Sequence, residues 1–443
     1  MSRTGWFAAG IAAGAAGLAL GRRPPRRPAH PPGPGAIRAE EARDHAAHLA
    51  TYPSVRRADL AMTFAPSTAT SVEPLLHGRR YFPRMLADIE AARDHVHLLI
   101  YGFKPGAIGT TFRDALAAKV REGVSVRLQV DAVGSEIDAG SRALYADLVA
   151  AGVRVVAHDG LAVVRTGELG RRRLEVRLED ALHFDHRKLA VIDGRTAYVG
   201  GSGIEDHYTD ERFYDVMCRV TGPVVAQLQL VMLASWLHQG AAFDGGAAGL
   251  DRLFPPDALA VPADAAGTVA ASVLWNVPGT GHHPISDAIE AALAGARDRV
   301  DIVNPYISNR AILGLLLAAA RRGVRVRLVV PGRPTPPYPA AAFRHHYERL
   351  LDAGVEILLH PEMAHAKVLR IDDQVQVGGC NLDDLSLFRN DELNLLLQGA
   401  DVAAAFERAV FDELAGMSTP AGVPSAPGER AWNALMDRVS RLL

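Results

Sequence analysis

REGVSVRL (121–128) and RRGVRVRL (321–328) are nearly the same phrase, and around each of them the chain repeats one order of elements. Upstream, ARDHV at 92–96 is answered by ARDRV at 296–300; downstream, AAGVRVV at 150–156 is answered by DAGVEIL at 352–358. In the first copy FPRMLADIEAARDHV (82–96) carries apolar residues at helical spacing, and the apolar run HLLIYGF follows as a buried strand. A second helix, TFRDALAAKVREG (111–123), stops at a glycine before the strand VSVRLQVD (124–131). The second copy runs ISDAIEAALAGARDRV (285–300), DIVNPYI, AILGLLLAAARRG (311–323) and VRVRLVVPG (324–332). Such alternation predicts an α/β fold, each copy a largely parallel mixed sheet flanked by helices. Ala92 to Ala296 is 204 residues and Gly123 to Gly323 is 200, so the repeat is of domain size rather than solenoid size.

The whole chain fits two such units. Its 443 residues exceed what one core ordinarily fills, and 49% hydrophobic with 22% charged residues is a globular composition. The expected divisions are an apolar segment (1–21), a Pro/Arg-rich linker (22–38), a first domain (70–241), a connection (242–266), a second domain (267–416) and a tail (417–443) with an amphipathic helix. Residues 1–38 hold six arginines and no acid, so the rest carries 42 basic against 50 acidic residues, or −8. That balance lacks the electrostatic footprint of a nucleic-acid binder. Two cysteines, Cys218 and Cys380, exclude a disulfide scaffold and a Cys-rich metal site.

Gly5 to Gly21 is uncharged and short for a membrane span, and RRPPRRP follows at once. A cleaved signal peptide and a retained anchor both fit it. The arginines after the apolar run favour an anchor that leaves the body on the cytoplasmic side of the cell membrane.

Each copy closes on the same residues: DHRKLAVIDGRTAYVGGSGIED (185–206) and AHAKVLRIDDQVQVGGCNLDD (364–384). Both read His-x-Lys-x4-Asp, giving His186, Lys188 and Asp193, then His365, Lys367 and Asp372. Residues two apart on a strand share a face, so each imidazole projects beside an ammonium, a pair suited to an anionic phosphoryl group. The Gly-Gly turn after each motif strand lets the backbone approach a ligand closely. One such motif arises by chance; two at matching places in a duplicated chain do not. Asp193 and Asp372 lie further along and are read as motif residues bracing the turn.

On these motifs, and on LLHGRRYFPRMLADIEAARDHVHLLIY (75–101), GPVVAQLQ, NPYI and NLDDLSLFRNDELNLLL, the sequence resembles the phospholipase D superfamily, and within it bacterial cardiolipin synthases. The resemblance implies duplicated domains forming a pseudo-dimer with one shared active site. It implies double displacement at phosphorus, with His186 as nucleophile, His365 as acid and base, and Lys188, Lys367 and Asn381 on the phosphoryl oxygens. The symmetry of the motifs leaves the reverse assignment of the histidines open. An acidic partner is implied downstream of each motif, where Asp215 lies 29 residues after His186 and Glu392 lies 27 after His365. No metal or other cofactor is implied. The substrate is a phospholipid resembling phosphatidylglycerol, met at a membrane surface, with no nucleic acid; the oligomeric state is not indicated. Transfer to another lipid's alcohol, hydrolysis, a nuclease using the same chemistry and a non-catalytic lipid binder remain alternative readings.

Three departures from the family pattern stand out. Gly203 takes the place of an asparagine, Leu385 that of an arginine, and YGFKPGAIG (101–109) lacks an aspartate. Gly152 to His186 is 34 residues whereas Gly354 to His365 is 11; the excess contains GELGRRRLEVRLED (167–180), which predicts a hairpin carrying Arg171, Arg172, Arg173 and Arg177. Lipid-headgroup recognition and a merely solvated basic hairpin both fit. His282 and His283 read as loop histidines, Cys380 as a packed side chain, and VVAQLQLVMLASWL (224–237) as a core helix. The tail helix ERAWNALMDRVSRLL (429–443) either packs on the body or rests at a bilayer.

Overall fold

The computed structural model describes residues 36–440, except 53, 138–140, 159–163, 167–172, 176–182, 211, 244 and 260–267. The apolar segment at 1–21, and most of the linker after it, therefore lie outside the described residues. So do Arg171, Arg172 and Arg177; of the stretch 167–180 only Arg173–Glu175 is described, and it pairs antiparallel with Val164–Thr166, which precedes that stretch.

The duplication is visible as two sheets with one strand order. The first runs Ser71–Leu76, Val216–Thr221, Thr196–Gly200, Lys188–Ile192, His95–Ile100, Ser125–Asp131, Arg154–His158. The second runs Val269–Asn276, Glu392–Gln398, Gln374–Gly378, Val368–Ile371, Arg299–Val303, Arg325–Pro331, Glu356–His360. Ser67–Ala69 and Thr419–Pro420 are added at the second sheet's two edges. Both sheets are mixed. Parallel pairing, however, is confined to the three strands joined by helical crossovers, which makes it the smaller share. The motif strand and its hairpin partner run antiparallel, because a turn of two or three residues joins them and leaves no room for a crossover.

Helices Gly78–Ala91 and Ala107–Arg121 cover the first sheet and Pro284–Gly295 and Arg310–Arg321 the second, each burying its apolar stripe against the strands. The central helix Val224–His238 has no exposed face: all fifteen residues are buried, Gln227, Gln229 and Ser235 among them. Its neighbours come from both sheets, so Leu189, Val199, Trp275, Val377 and Leu395 share one continuous apolar core with it. Each large side chain so buried contributes about 1.5–3 kcal/mol, which joins the two halves into one body.

Residues 36–64 lie across this helix. Gln227 Nε2 donates to the carbonyls of Ile37 and Ala65, and Ala42–Ala50 packs on it. At the other end of the chain Pro427–Ser440 is helical, as the tail pattern predicts, and it docks through polar residues. Asp437 is buried between Arg310 at 3.2 Å and His346 at 2.9 Å, while Trp432 and Leu435 face outward. Among the described residues no helix is long and apolar enough to cross a membrane.

Candidate active site

The motif strands begin where the two halves meet, and their first residues bond to the opposite half. His186 N donates to Asp391 O at 3.0 Å, and Asp391 N to Phe184 O at 3.0 Å. On the other side His365 N donates to Tyr214 O at 2.7 Å, next to the short parallel pairing of Phe213–Tyr214 with Met363–Ala364. Asp391 and Tyr214 each directly precede one of the acids singled out in the sequence. The bonding therefore carries each acid to the histidine of the other copy. Glu392 Oε1 lies 2.8 Å from His186 Nδ1, and Asp215 Oδ2 lies 2.7 Å from His365 Nδ1. Chain order would pair Asp215 with His186 and Glu392 with His365; the structure crosses them.

The Gly-Gly turns make that crossing possible. A Cβ on Gly201 would stand 2.4 Å from Asp215 Oδ1, and one on Gly379 would stand 2.8 Å from Glu392 Oε2. The close approach expected at these turns is thus one by the protein's own carboxylates.

With Nδ1–H directed at a carboxylate, each imidazole presents Nε2. Burial, then the charges of Lys188 and Lys367, hold His186 well below the usual imidazole range; His365 is lowered in the same way. Burial brings Lys188 down to about 8 and Lys367 to about 7, while it raises Asp215 to about 6 and Glu392 to about 8. Four groups that ordinarily titrate far from neutrality are drawn towards it, a pattern concentrated at sites of proton transfer. Lys188 and Lys367 each donate to the carbonyl of their own histidine, and Lys367 Nζ lies 2.7 and 2.9 Å from the ring nitrogens of His365.

Asn381 is buried at the same turn; its Nδ2 donates to Ser386 Oγ at 3.3 Å, and its Oδ1 has no hydrogen-bond partner among the described residues. Ser202, beside Gly203, accepts from the Tyr81 hydroxyl at 2.8 Å. Cys380 is packed, with burial pushing its thiol up, and His282 Nε2 bonds to Met62 O at 2.7 Å.

Asp193 and Asp372 are not brought to this centre. Each sits at the far end of its motif strand with positive φ, 52° and 53°. Asp193 accepts from the N–H groups of Arg93, Asp94 and His95, and Asp372 from those of Arg297, Asp298 and Arg299, at 2.8–3.0 Å. They tie the turn to the start of the neighbouring strand.

The aromatic walls were not legible in the sequence. The Tyr101 ring stands edge-on to His186 at 4.8 Å with Lys188 Nζ 4.8 Å from its centroid. The Tyr208 hydroxyl lies 3.4 Å from His365 Nδ1, and the Phe213 ring 6.0 Å from that imidazole. Tyr101 directly follows the apolar strand His95–Ile100 and Tyr208 sits five residues past Gly203; neither position has a spacing that marks it.

Residues 85–236 and 289–414 match the family model described as cardiolipin synthase, PLD-like domain. The chain belongs to this family. A cardiolipin synthase of Geobacillus kaustophilus (strain HTA426) is 30% identical over 345 residues, covering 76% of this chain and 64% of that protein. One from Staphylococcus aureus (strain Mu50 / ATCC 700699) is 27% identical over 378 residues, 83% of this chain and 71% of the other. The match to the Geobacillus protein thus spans a little under two thirds of that relative's length. The structure of phosphatidylserine synthase from Haemophilus influenzae Rd KW20 superposes with a TM-score of 0.60 over 91% of this chain and 97% of that one; at 14% identity this is a likeness of fold.

Proposed function

We propose that the protein is a phosphatidyltransferase of the cardiolipin synthase type, moving a phosphatidyl group between phospholipids through a phosphohistidine. The crossed pairs His186–Glu392 and His365–Asp215, with both lysines between them, are the observation that carries this reading. The Nε2 lone pair of His186 attacks phosphorus, forming a P–N bond as the P–O bond to the leaving alcohol breaks. The pair of His365 and Asp215, whose carboxyl burial raises to about 6, holds the proton that His365 Nε2 gives to that alcohol. The neutral His365 then takes the proton of an incoming alcohol, whose oxygen attacks phosphorus and releases His186. Asp215 offsets the imidazolium form of His365, Glu392 keeps Nε2 of His186 exposed, and Lys188, Lys367 and Asn381 bind the non-bridging oxygens.

The same reading places the first domain at 70–241 and the second at 267–416, with phosphatidylglycerol as substrate at a membrane surface. It takes residues 1–21 as an anchor with the body on the cytoplasmic side, supported by the run of arginines that follows them.

The test is incubation of the full-length protein with phosphatidylglycerol vesicles and mass spectrometry of the lipids. Cardiolipin and free glycerol are expected, both lost in His186→Ala and His365→Ala. Phosphatidic acid without cardiolipin would make it a hydrolase, and no lipid product would overturn the reading.

A further inference from the structure

The two copies match residue by residue around the site. Ile204 N donates to Gly102 O and Lys104 N to Ile204 O; in the second copy Leu382 N donates to Tyr306 O and Ser308 N to Leu382 O. Gly102 therefore corresponds to Tyr306, Lys104 to Ser308, Gly203 to Asn381 and Glu205 to Asp383. In the second copy this lobe is closed by the Tyr306 ring, whose hydroxyl donates to Thr335 O, while Asp383 turns back to cap the helix Asp384–Phe388 through Ser386 N at 2.8 Å.

In the first copy glycine stands in place of both Tyr306 and Asn381, and Glu205, one methylene longer than Asp383, occupies the space. A Cβ on Gly102 would stand 2.4 Å from Glu205 Oε1, and one on Gly203 would stand 2.9 Å from it. The other oxygen, Oε2, lies 3.1 Å from Lys104 Nζ, which also reaches Glu136 at 3.2 Å. The Glu205 side chain is 13% exposed, that of Lys104 30%, so both retain a solvent-facing edge.

This pair lies on the His365 side of the centre. Glu205 is 3.8 Å from His207, whose ring packs at 4.3 Å on both Tyr208 and Phe213, the two aromatics against His365. In a double displacement with His186 as nucleophile, the leaving and the incoming alcohol both sit opposite His186, where His365 handles their protons.

We propose that Lys104 and Glu205, in the space cleared by Gly102 and Gly203, form the site that recognises the hydroxyls of the alcohol substrate and favours a neutral vicinal diol, such as a glycerol end, over a simple or cationic alcohol. This rests on the transferase reading above. A carboxylate accepts from two adjacent hydroxyls and the ammonium donates to one of them. Lys104 already holds the position at which a headgroup cation would pair with Glu205.

The test presents phosphatidylglycerol vesicles and equal concentrations of glycerol, ethanol and ethanolamine to the full-length protein, and measures the phosphatidyl-alcohols by mass spectrometry. Wild type is expected to favour glycerol. Glu205→Gln and Lys104→Met should each reduce the glycerol-to-ethanol product ratio about tenfold, with partial recovery in Lys104→Arg. An unchanged ratio in both variants would overturn the proposal, as would equal loss of all products. Absence of any product from wild type would instead overturn the transferase reading.

Discussion

The two halves agree at the histidine, the lysine, the acid and the second glycine of the turn, and part company one side chain away. In the first copy the helix Ala107–Arg121 is capped from a distance, since Asp206 accepts from the N–H groups of Ala107 and Ile108. A Cβ at Gly106 would collide with that carboxylate at 2.4 Å. In the second copy Asn309 caps its own helix, accepting from Ile312 N at 3.0 Å, and Asp384 merely accepts from its amide. The difference teaches that the crossed acids fix the two histidines between the halves. The loops around them then carry different packing.

The largest test of that division is at the histidines. His186→Ala and His365→Ala should each lower turnover by about 10⁴-fold or more. The halves should nevertheless differ in one respect: with a phosphatidyl ester of an activated phenol, His365→Ala should accumulate a phosphatidyl adduct on residue 186, read by peptide mass spectrometry. An adduct on residue 365 in the His186→Ala protein would reverse the two roles.

The crossing comes next. Asp215→Asn and Glu392→Gln should each reduce turnover about 10²- to 10⁴-fold by loosening the tautomer and orientation of the opposite histidine. Combining Asp215→Asn with His365→Ala should add little further loss, whereas combining it with His186→Ala tests the chain-order pairing. Non-additivity with His186 instead of His365 would refute the crossed arrangement.

A smaller effect is expected where the halves are most alike. Asp193→Ala and Asp372→Ala remove three backbone acceptances each and place alanine at positive φ, costing about 1–3 kcal/mol in thermal unfolding. Turnover per folded molecule should stay near wild type, because neither carboxylate reaches the histidines. For Asp372 burial alone would raise the carboxyl, but the N–H groups of Arg299, Asp298 and Arg297 hold it lowered.

The smallest is a pH effect on stability. Burial raises Glu392 to about 8 from an ordinary 4.5, so the folded state keeps a proton that the unfolded chain releases. That contribution is complete below about pH 4.5 and is lost as pH rises through 8. The melting temperature of Glu392→Gln relative to wild type should therefore climb between pH 5 and 8.5. A flat difference would mean that Glu392 is ionised throughout.

Much of this was legible in the chain. Matching phrases such as ARDHV and ARDRV exposed the duplication, and the paired motifs named the four residues that meet at the centre. The stretch 224–237 reads as a core helix, and all fifteen residues of Val224–His238 are buried. The mixed character of the sheets was readable; the smaller share of parallel pairing was not, because a strand pattern does not state which neighbour it bonds.

What sequence determined by itself was the pair of His-x-Lys-x4-Asp motifs and the presence of two homologous frames, since residue identity and local periodicity are properties of the chain. Which carboxylate serves which histidine was decided only by tertiary structure. It depends on His186 bonding to Asp391 and His365 to Tyr214 across the interface, pairs separated by 205 and 151 residues. The approach of Glu205 to Gly102 and Gly203 is of the same kind: three positions unremarkable in order come together when two strand ends are laid side by side. Contacts between distant segments follow from packing and burial of the whole, and no local spacing encodes them.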